Sequence, residues 1–297
     1  MKQHNVIEGT FTALVTPFDS QLRIDEQAWY NLLDHQAAGQ VDGVIINGTT
    51  GESPTLSDQE FEYLLTSAKE RLGKSVKIWA GSGGNVTEAS IRKSKKAAEL
   101  GADGLLLVTP YYNKPTQEGL KQHYNAIVNA VDLPVMLYNV PGRTGTRNAT
   151  ETIEEISRHP NVVATKEATG DMNQILDILH RAGHQCSVLS GDDAMTLPLV
   201  LSGGQGVVSV IANVAPGLMK SMVRDALDGN VEQARKAHDK LWPLMKASFW
   251  ESNPIPIKEA LAISGIIQPH VRLPLTRLDE AYRPQLQKVL SQLNLIE

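Results

Sequence analysis

The chain contains 297 residues, of which 41% are hydrophobic and 21% are charged, and its formal net charge is −5. A chain of this length buries about 75% of its unfolded surface, so it can build a sizeable core. Its mild acidity argues against nucleic acid or an anionic membrane as a partner, because both require a basic face.

Cysteine use and the distribution of apolar residues indicate the compartment. Cys186 is the only cysteine, which excludes an intrachain disulfide and a cysteine-based metal cluster and is typical of a reducing cytosol. No apolar run reaches the roughly 18 residues of a membrane span. Residues 1–9 lack the apolar core of a signal peptide. We therefore expect a cytoplasmic protein that binds no membrane.

Eight short apolar runs rich in β-branched residues recur along the chain. Each run is continuous rather than alternating, which is typical of a strand buried on both faces. The predicted strands cover residues 11–16, 43–47, 76–80, 105–109, 135–138, 162–166, 188–190 and 207–210.

Amphipathic segments with helix start and stop signals separate these strands. One helix should end at Gly73, and threonine caps are predicted at Thr87 and Thr116. Three capping boxes are predicted, Ser57 with Glu60, Asn148 with Glu151, and Asp171 with Gln174.

Strands that alternate with helices pair in parallel through right-handed crossovers, and eight such units can close into a (β/α)₈ TIM barrel. The main alternative, an open doubly wound sheet, would place a glycine-rich nucleotide loop after the first strand. The sequence there is TPFD, residues 16–19, which is no phosphate cradle. We therefore predict an α/β fold with a closed barrel.

The strand signals stop after residue 223. Helices are predicted over residues 230–247, 257–265 and 278–293, and the proline-rich segment 253–257 is predicted to be an extended link. We expect two parts, a catalytic barrel over residues 1–225 and a C-terminal helical region over residues 226–297.

Lys166 is the first candidate for chemistry, because it ends the sixth predicted strand and barrel active sites lie at strand carboxyl ends. Counting in twos places Val162, Ala164 and Lys166 on one face of the strand. If that face points inward, burial lowers the pKa of the amine and makes it a nucleophile. The alternative is a lysine that extends to solvent or pairs with Glu167.

The loop GTTGE, residues 48–52, follows the second strand. Its two glycines permit a sharp turn whose backbone N–H groups form an anion-binding nest. The hydroxyls of Thr49 and Thr50 add donors suited to a carboxylate. The alternative is an ordinary glycine-rich turn.

Two tyrosines and an arginine follow the fourth and fifth strands. Tyr112 and Tyr138 are suited either to proton transfer or to ordinary packing. Arg143 lies in a loop shaped by proline and glycine, where it is suited to holding a carboxylate in a fork or to pairing with a surface acid.

Metal chemistry is not indicated. The eight histidines show no ligand spacing. The adjacent acids Asp192 and Asp193 are interpreted as caps of the following helix. We expect no catalytic metal.

Four motifs in chain order carry a resemblance to a known family. They are GTTGE at 48–52, YYN at 111–113, YNVP at 138–141 and KEATG at 166–170. Together they resemble the pyruvate-dependent class I aldolases, which include N-acetylneuraminate lyase, over nearly the whole chain. The resemblance implies a TIM barrel that needs no cofactor.

The resemblance also implies roles for individual residues. Lys166 would form an imine with pyruvate, and Thr49, Tyr138 and Tyr112 would relay protons. Thr49 and Thr50 would hold the pyruvate carboxylate. The backbone near Gly191 and Val208 would line the same pocket.

Arg143 separates two branches of this family. The resemblance implies that it binds the carboxylate of L-aspartate 4-semialdehyde, as in the synthases of the diaminopimelate route to lysine. Three alternatives stay open: an aldolase for keto-deoxy sugar acids or sialic acid, a barrel that only binds a keto acid, and a barrel enzyme without Schiff-base chemistry. The expected assembly is a homotetramer of tight dimers in which Tyr112 reaches the neighbouring site.

Feedback inhibition by lysine occurs in some members of this family. The implied site includes Ser53, Asn85 and Tyr111, and the strongly inhibited pattern has two histidines where this chain has Asp58 and Phe61. Phe61 offers no conventional side-chain hydrogen bond. We therefore predict weak or absent inhibition.

Overall fold

Eight parallel strands form a closed barrel in which each strand is hydrogen-bonded to the next and β8 to β1. The computed structural model describes residues 6–296, so the first five residues of the segment considered for a signal peptide lie outside the described residues. The strands are β1 Gly9–Ala13, β2 Gly43–Ile46, β3 Lys77–Gly81, β4 Gly104–Val108, β5 Val135–Asn139, β6 Val162–Glu167, β7 Ser187–Ser190 and β8 Gly206–Ser209. The predicted α/β barrel is confirmed.

Helices connect the strands and cover the outside of the barrel. Nine of the helices described within residues 6–296 belong to the barrel: α1 Glu26–Ala38, α2 Asp58–Leu72, α3 Thr87–Glu99, α4 Gln117–Val128, α5 Pro141–Thr144, α6 Thr150–Ile156, α7 Met172–Ala182, α8 Thr196–Leu201 and α9 Pro216–Leu227. Three more form the C-terminal region: α10 Val231–Ala247, α11 Ile255–Ile263 and α12 Arg283–Gln292. None of the described helices is both long and apolar enough to span a membrane.

Seven of the predicted strands match the observed ones to within one residue at each end. The exception is the first, because β1 ends at Ala13 and the apolar run continues beyond it. The amide of Val15 donates to Asn213 Oδ1 at 3.1 Å, and the Thr16 hydroxyl donates to the Gly51 carbonyl. These residues are buried in a loop, so hydrophobicity alone overextended the strand.

Several predicted helix caps are confirmed. Ser57 and Glu60 form the reciprocal capping box at the start of α2, and Gly73 follows its last residue with a positive φ of 59°. Thr116 caps α4 by accepting from the Gly119 amide.

Three other cap predictions are wrong in whole or in part. Thr87 lies inside α3, and its hydroxyl bonds to the His123 ring at 2.9 Å. Asn148 is buried and donates to the Tyr124 hydroxyl, so α6 begins without its help. Asp171 caps α7, but the box is incomplete because the Gln174 side chain donates to the Asn148 carbonyl. In each case a side chain bonds to a residue distant in the sequence instead of completing the predicted cap.

The strands are packed on both faces. The outer faces join the helices in one large apolar cluster, and a second cluster fills the barrel interior. The interior is therefore closed by side chains, as in other barrels of this kind. Its members include Phe11, Ile45, Trp79, Leu106, Met136, Tyr138, Ala164, Leu189 and Val208.

An irregularity in β6 sets the direction of Lys166. The register with β5 shifts at Val163, so Val162 pairs with Val135 while Ala164 pairs with Met136. Val162 packs in the outer cluster and Ala164 in the inner one. The prediction that Val162 shares a face with Lys166 is wrong, because the extra residue breaks the period of two.

The C-terminal helices pack onto the barrel rather than apart from it. Leu244 of α10, Ile257 of α11 and Leu290 of α12 belong to the same apolar cluster as the outer strand faces. The predicted boundary at residue 225 falls inside α9. The extended link predicted at 253–257 is wrong, because α11 begins at Ile255 and the first turn of a helix tolerates proline.

Candidate active site

The carboxyl ends of β5 and β6 place Tyr138 and Lys166 side by side in the ladder. Lys166 is 5% exposed, and its Nζ lies 4.1 Å from the centroid of the Tyr138 ring. The strand end, the inward face and the close phenol together make this the candidate centre for chemistry.

Burial lowers the pKa of Lys166 from 10.5 to about 7. The nearby Asp193 carboxyl raises the pKa, and the positive charge of Arg143 lowers it further. A large share of the amine is therefore uncharged at neutral pH, as a nucleophile requires. The alternative of an ion pair with Glu167 does not hold, because Glu167 accepts from Asn139 Nδ2 at 3.0 Å.

Tyr138 is buried, which raises its pKa to about 12, while Arg143 and the Thr49 hydroxyl oppose part of this rise. The phenol therefore stays neutral and protonated around pH 7. A neutral hydroxyl can pass a proton without the cost of burying another charge.

Two cavities lie at this mouth of the barrel. The larger, of about 460 Å³, is lined by Thr49, Tyr111 and Arg143 among others, and a smaller one of about 30 Å³ is lined by Thr49 and Tyr138. Thr49 belongs to both walls, so it lies between the open pocket and the phenol. Lys166 lies beside the Tyr138 ring rather than on either wall.

Thr50 and Arg143 are both held by Asn253 of the C-terminal region. Thr50 is buried, and its Oγ1 accepts from Asn253 Nδ2 at 2.9 Å, which leaves its own proton free to donate. Arg143, exposed on α5, donates from Nη2 to the Asn253 carbonyl at 3.1 Å. Sequence reasoning missed Asn253, since nothing local marks it.

Gly191 makes room for the lysine. A Cβ at this position would lie 2.9 Å from Lys166 Cε and 2.8 Å from Ala168 Cβ, which is too close. Val208 is fully buried in the inner cluster, on β8. Gly191 therefore lies against the Lys166 side chain, whereas Val208 contributes to the packing of the barrel interior.

Tyr112 does not line the two cavities of its own chain. It is 89% exposed, and it adopts a left-handed backbone conformation (φ 71°) after β4. Its neighbour Tyr111 lines the larger pocket instead.

The two acids after β7 differ in their contacts. Asp192 accepts from the Ala194 amide and caps the following turn, as predicted. For Asp193 the prediction is wrong: its Oδ2 accepts from the amides of Val210 and Ile211 after β8. Burial raises the pKa of Asp193 to about 6. The sequence contains no signal that would distinguish the contacts of two adjacent acids such as Asp192 and Asp193.

Within residues 6–296, neither this mouth nor any other part of the structure groups three His, Cys, Asp or Glu side chains so that they could hold a metal ion.

A closed (β/α)₈ barrel with a buried lysine at a strand end defines the class of lysine-dependent barrel enzymes. The sequence profile of the dihydrodipicolinate synthetase family matches residues 6–293. A 4-hydroxy-tetrahydrodipicolinate synthase from Protochlamydia amoebophila is 43% identical over 290 residues, 97% of each chain.

Solved structures agree. A dihydrodipicolinate synthase from Thermotoga maritima superposes with a TM-score of 0.96 at 42% identity, covering 98% of this chain and all of the other. The enzyme from Acinetobacter baumannii, solved in complex with pyruvate, gives 0.96 at 40% identity with the same coverage.

The chain therefore belongs to the dihydrodipicolinate synthetase family. The match confirms the family predicted from the four motifs and the prediction that the chain is an enzyme, a synthase of this family. It does not favour the alternative of an aldolase for sugar acids.

Proposed function

We propose that this enzyme condenses pyruvate with L-aspartate 4-semialdehyde through an imine on Lys166. The observation that carries the proposal is the buried Lys166 amine, with its pKa lowered to about 7, against the Tyr138 ring. The pyruvate complex of the Acinetobacter relative supports the choice of keto acid. The product would be 4-hydroxy-tetrahydrodipicolinate, in the diaminopimelate route to lysine.

The reaction begins when the free amine of Lys166 attacks the ketone of pyruvate and water leaves. The protonated imine withdraws electrons, so the methyl carbon loses a proton and an enamine forms. The enamine carbon then bonds to the aldehyde carbon, whose oxygen takes up a proton. Finally the amine of the semialdehyde displaces Lys166 and closes the ring. The lysine supplies the electron sink, so no cofactor is required.

Each of these steps moves a proton, and the hydroxyls near Lys166 are suited to this task. Tyr138 and Thr49 stay neutral, and a positioned acid–base group accelerates a step by roughly 10²–10⁴-fold. We propose that Tyr112 of a neighbouring subunit completes the relay, which its exposure on the loop after β4 supports.

The carboxylates of the two substrates are assigned to different groups. The Thr49 and Thr50 hydroxyls and the loop backbone would hold the pyruvate carboxylate, with Gly191 and Val208 shaping the pocket. Arg143, exposed on the wall of the larger cavity, would hold the semialdehyde carboxylate as a fork.

Reductive trapping tests the proposal. With pyruvate and borohydride, Lys166 should acquire a reduced three-carbon unit that peptide mapping locates. The Lys166→Ala variant should incorporate none, whereas Lys93→Ala, which removes a lysine from the wall of the larger cavity, should be labelled like the wild type. Full incorporation into Lys166→Ala would refute the assignment.

The assembly and location are part of the same proposal. A homotetramer built from tight dimers would let Tyr112 complete a second subunit's site. A cytoplasmic location is supported by Cys186, which is free and buried, so no disulfide depends on an oxidising compartment.

A further inference from the structure

Two charged residues of the C-terminal region hold the carboxylate of Glu52, the last residue of the loop 48–52. Lys258 Nζ lies 2.7 Å from Glu52 Oε1, and the Arg272 amide donates to Glu52 Oε2 at 2.9 Å. The side chains of Lys258 and Glu52 are 0% and 1% exposed. Both carboxylate oxygens are therefore used by groups more than 200 residues further along the chain.

The ion pair between Glu52 and Lys258 is not explained by stability alone. Burying two charges costs several kcal/mol per ion, and apolar replacements of such pairs are often neutral or stabilising. Glu52 also has a left-handed backbone (φ 57°), which is unfavourable for a residue other than glycine. The pair thus fixes a strained conformation two residues after Thr50.

Asn253 extends this contact to the other carboxylate-binding group. Its side chain donates to Thr50 Oγ1, and its main-chain carbonyl accepts from Arg143. One residue therefore sets the distance between the hydroxyl loop and the guanidinium. Asn253 lies two residues before α11 and Lys258 lies within it, so a single short segment of the C-terminal region supplies both contacts.

We propose that Glu52, Lys258 and Asn253 are positioning residues that hold Thr49, Thr50 and Arg143 for the two substrate carboxylates. They touch no reacting atom. The inference rests on the proposed function, because it assigns substrate binding to the loop and to Arg143. The C-terminal region is in this sense part of the binding site rather than an appendage to the barrel.

A double substitution separates positioning from stability. Lys258→Met alone should lower the melting temperature, because it leaves Glu52 charged and buried without its partner. The double variant Glu52→Gln with Lys258→Met removes both charges and should melt near the wild-type temperature. We expect the KM for pyruvate to stay raised roughly tenfold in the double variant, with a smaller change in kcat.

A matched control is Lys220→Met. It removes a different ion pair, the one between Lys220 of α9 and Asp42, which directly precedes β2 at the opposite end of the barrel from the loop 48–52. This variant should keep the wild-type KM for pyruvate. A double variant that melts like the wild type and also binds pyruvate like the wild type would overturn the inference.

Asn253→Ala tests the second contact. It removes the donor to Thr50 but keeps the main-chain carbonyl that Arg143 uses. The KM for pyruvate should rise several-fold, consistent with one lost hydrogen bond, while the KM for the semialdehyde changes little. Equal effects on both substrates would contradict the proposed division of roles. If the wild type showed no trapping on Lys166, the proposed function itself would fail, which is a separate outcome.

Discussion

The surroundings of Lys166 exert opposing effects on the pKa of its amine. Burial lowers its pKa to about 7, Asp193 raises it, and Arg143 lowers it further. Gly191 leaves the space in which the side chain can lie. A large share of the amine is thus uncharged at neutral pH, although the Asp193 carboxyl favours the ammonium form.

The rate of imine formation should follow the free amine. A lowered pKa means that the nucleophile is present above about pH 7 and is lost below it, so trapping at low pyruvate should rise through that pH and then level off. Asp193→Asn removes the charge that favours the ammonium form, so the midpoint should move to lower pH. Asp192→Asn is the control. A midpoint that moves upward in Asp193→Asn would contradict this account.

Arg143 should determine the use of the second substrate. In Arg143→Ala we expect kcat/KM for the semialdehyde to fall by about 10- to 150-fold, since a charged hydrogen bond is worth roughly 1.5–3 kcal/mol. Imine formation should change much less. Arg143→Lys keeps the charge but loses the fork, and it should recover only part of the activity. Steady-state kinetics at saturating pyruvate test this prediction. Unchanged kinetics toward the semialdehyde in Arg143→Ala would refute the role of Arg143.

At the scale of secondary-structure elements, the strand β6 directs the side chains of two adjacent residues into different surroundings. Lys166 points into the barrel, while Glu167 is bound by Asn139 Nδ2 and by the Thr169 amide at 3.1 Å. Burial raises the pKa of Glu167 to about 7, although these hydrogen bonds oppose the rise. This carboxyl ties β5 to β6 and to the loop that follows.

Glu167 should make the stability of the protein depend on pH. A carboxyl whose folded pKa is raised stabilises the fold fully below its unfolded pKa, and that contribution is lost as pH rises through the folded pKa. The window here is about 4.5 to 7. Across it, Glu167→Gln should gain roughly 3 kcal/mol relative to the wild type. Urea unfolding at several pH values measures this difference, and a difference independent of pH would contradict it.

The helices α2 and α3 determine the predicted response to lysine. Lys93 of α3 lies 3.8 Å from Asp58 and 5.3 Å from the Phe61 ring, on the wall that also contains Ser53 and Asn85. A cation already present there disfavours a second ammonium group. We predict weak or absent inhibition in a steady-state lysine titration, and strong inhibition at sub-millimolar lysine would show the prediction to be wrong.

At the scale of the whole molecule, the proposed role of Tyr112 links catalysis to assembly. It is exposed in the single chain and lines neither cavity at the mouth of its own barrel. The proposed proton relay through Tyr112 therefore requires a second copy of the chain.

Subunit mixing tests this link. Tyr112→Phe and Lys166→Ala chains should each be inactive or nearly so. After mixing under conditions that allow exchange, some sites contain an intact Lys166 from one chain and an intact Tyr112 from the other, so activity should return. Sedimentation should show the tetramer. Mixed tetramers without any recovered activity would contradict a shared site.

The sequence by itself determined the eight strands, the parallel barrel and the order of its motifs. Continuous apolar runs and helix caps such as Ser57 depend on neighbours within a few residues, so the sequence displays them directly. The strand-end positions of Thr49, Tyr138, Arg143 and Lys166 followed from the same local pattern.

The tertiary structure alone decided which groups meet. The extra residue at Val163 turned Lys166 inward, and Asp193 bound the amides after β8 instead of capping a turn. The contact between Lys258 and Glu52 joins parts of the chain that are 206 residues apart. No local periodicity encodes such contacts, because they arise only when the closed barrel brings the loop and the C-terminal helices together.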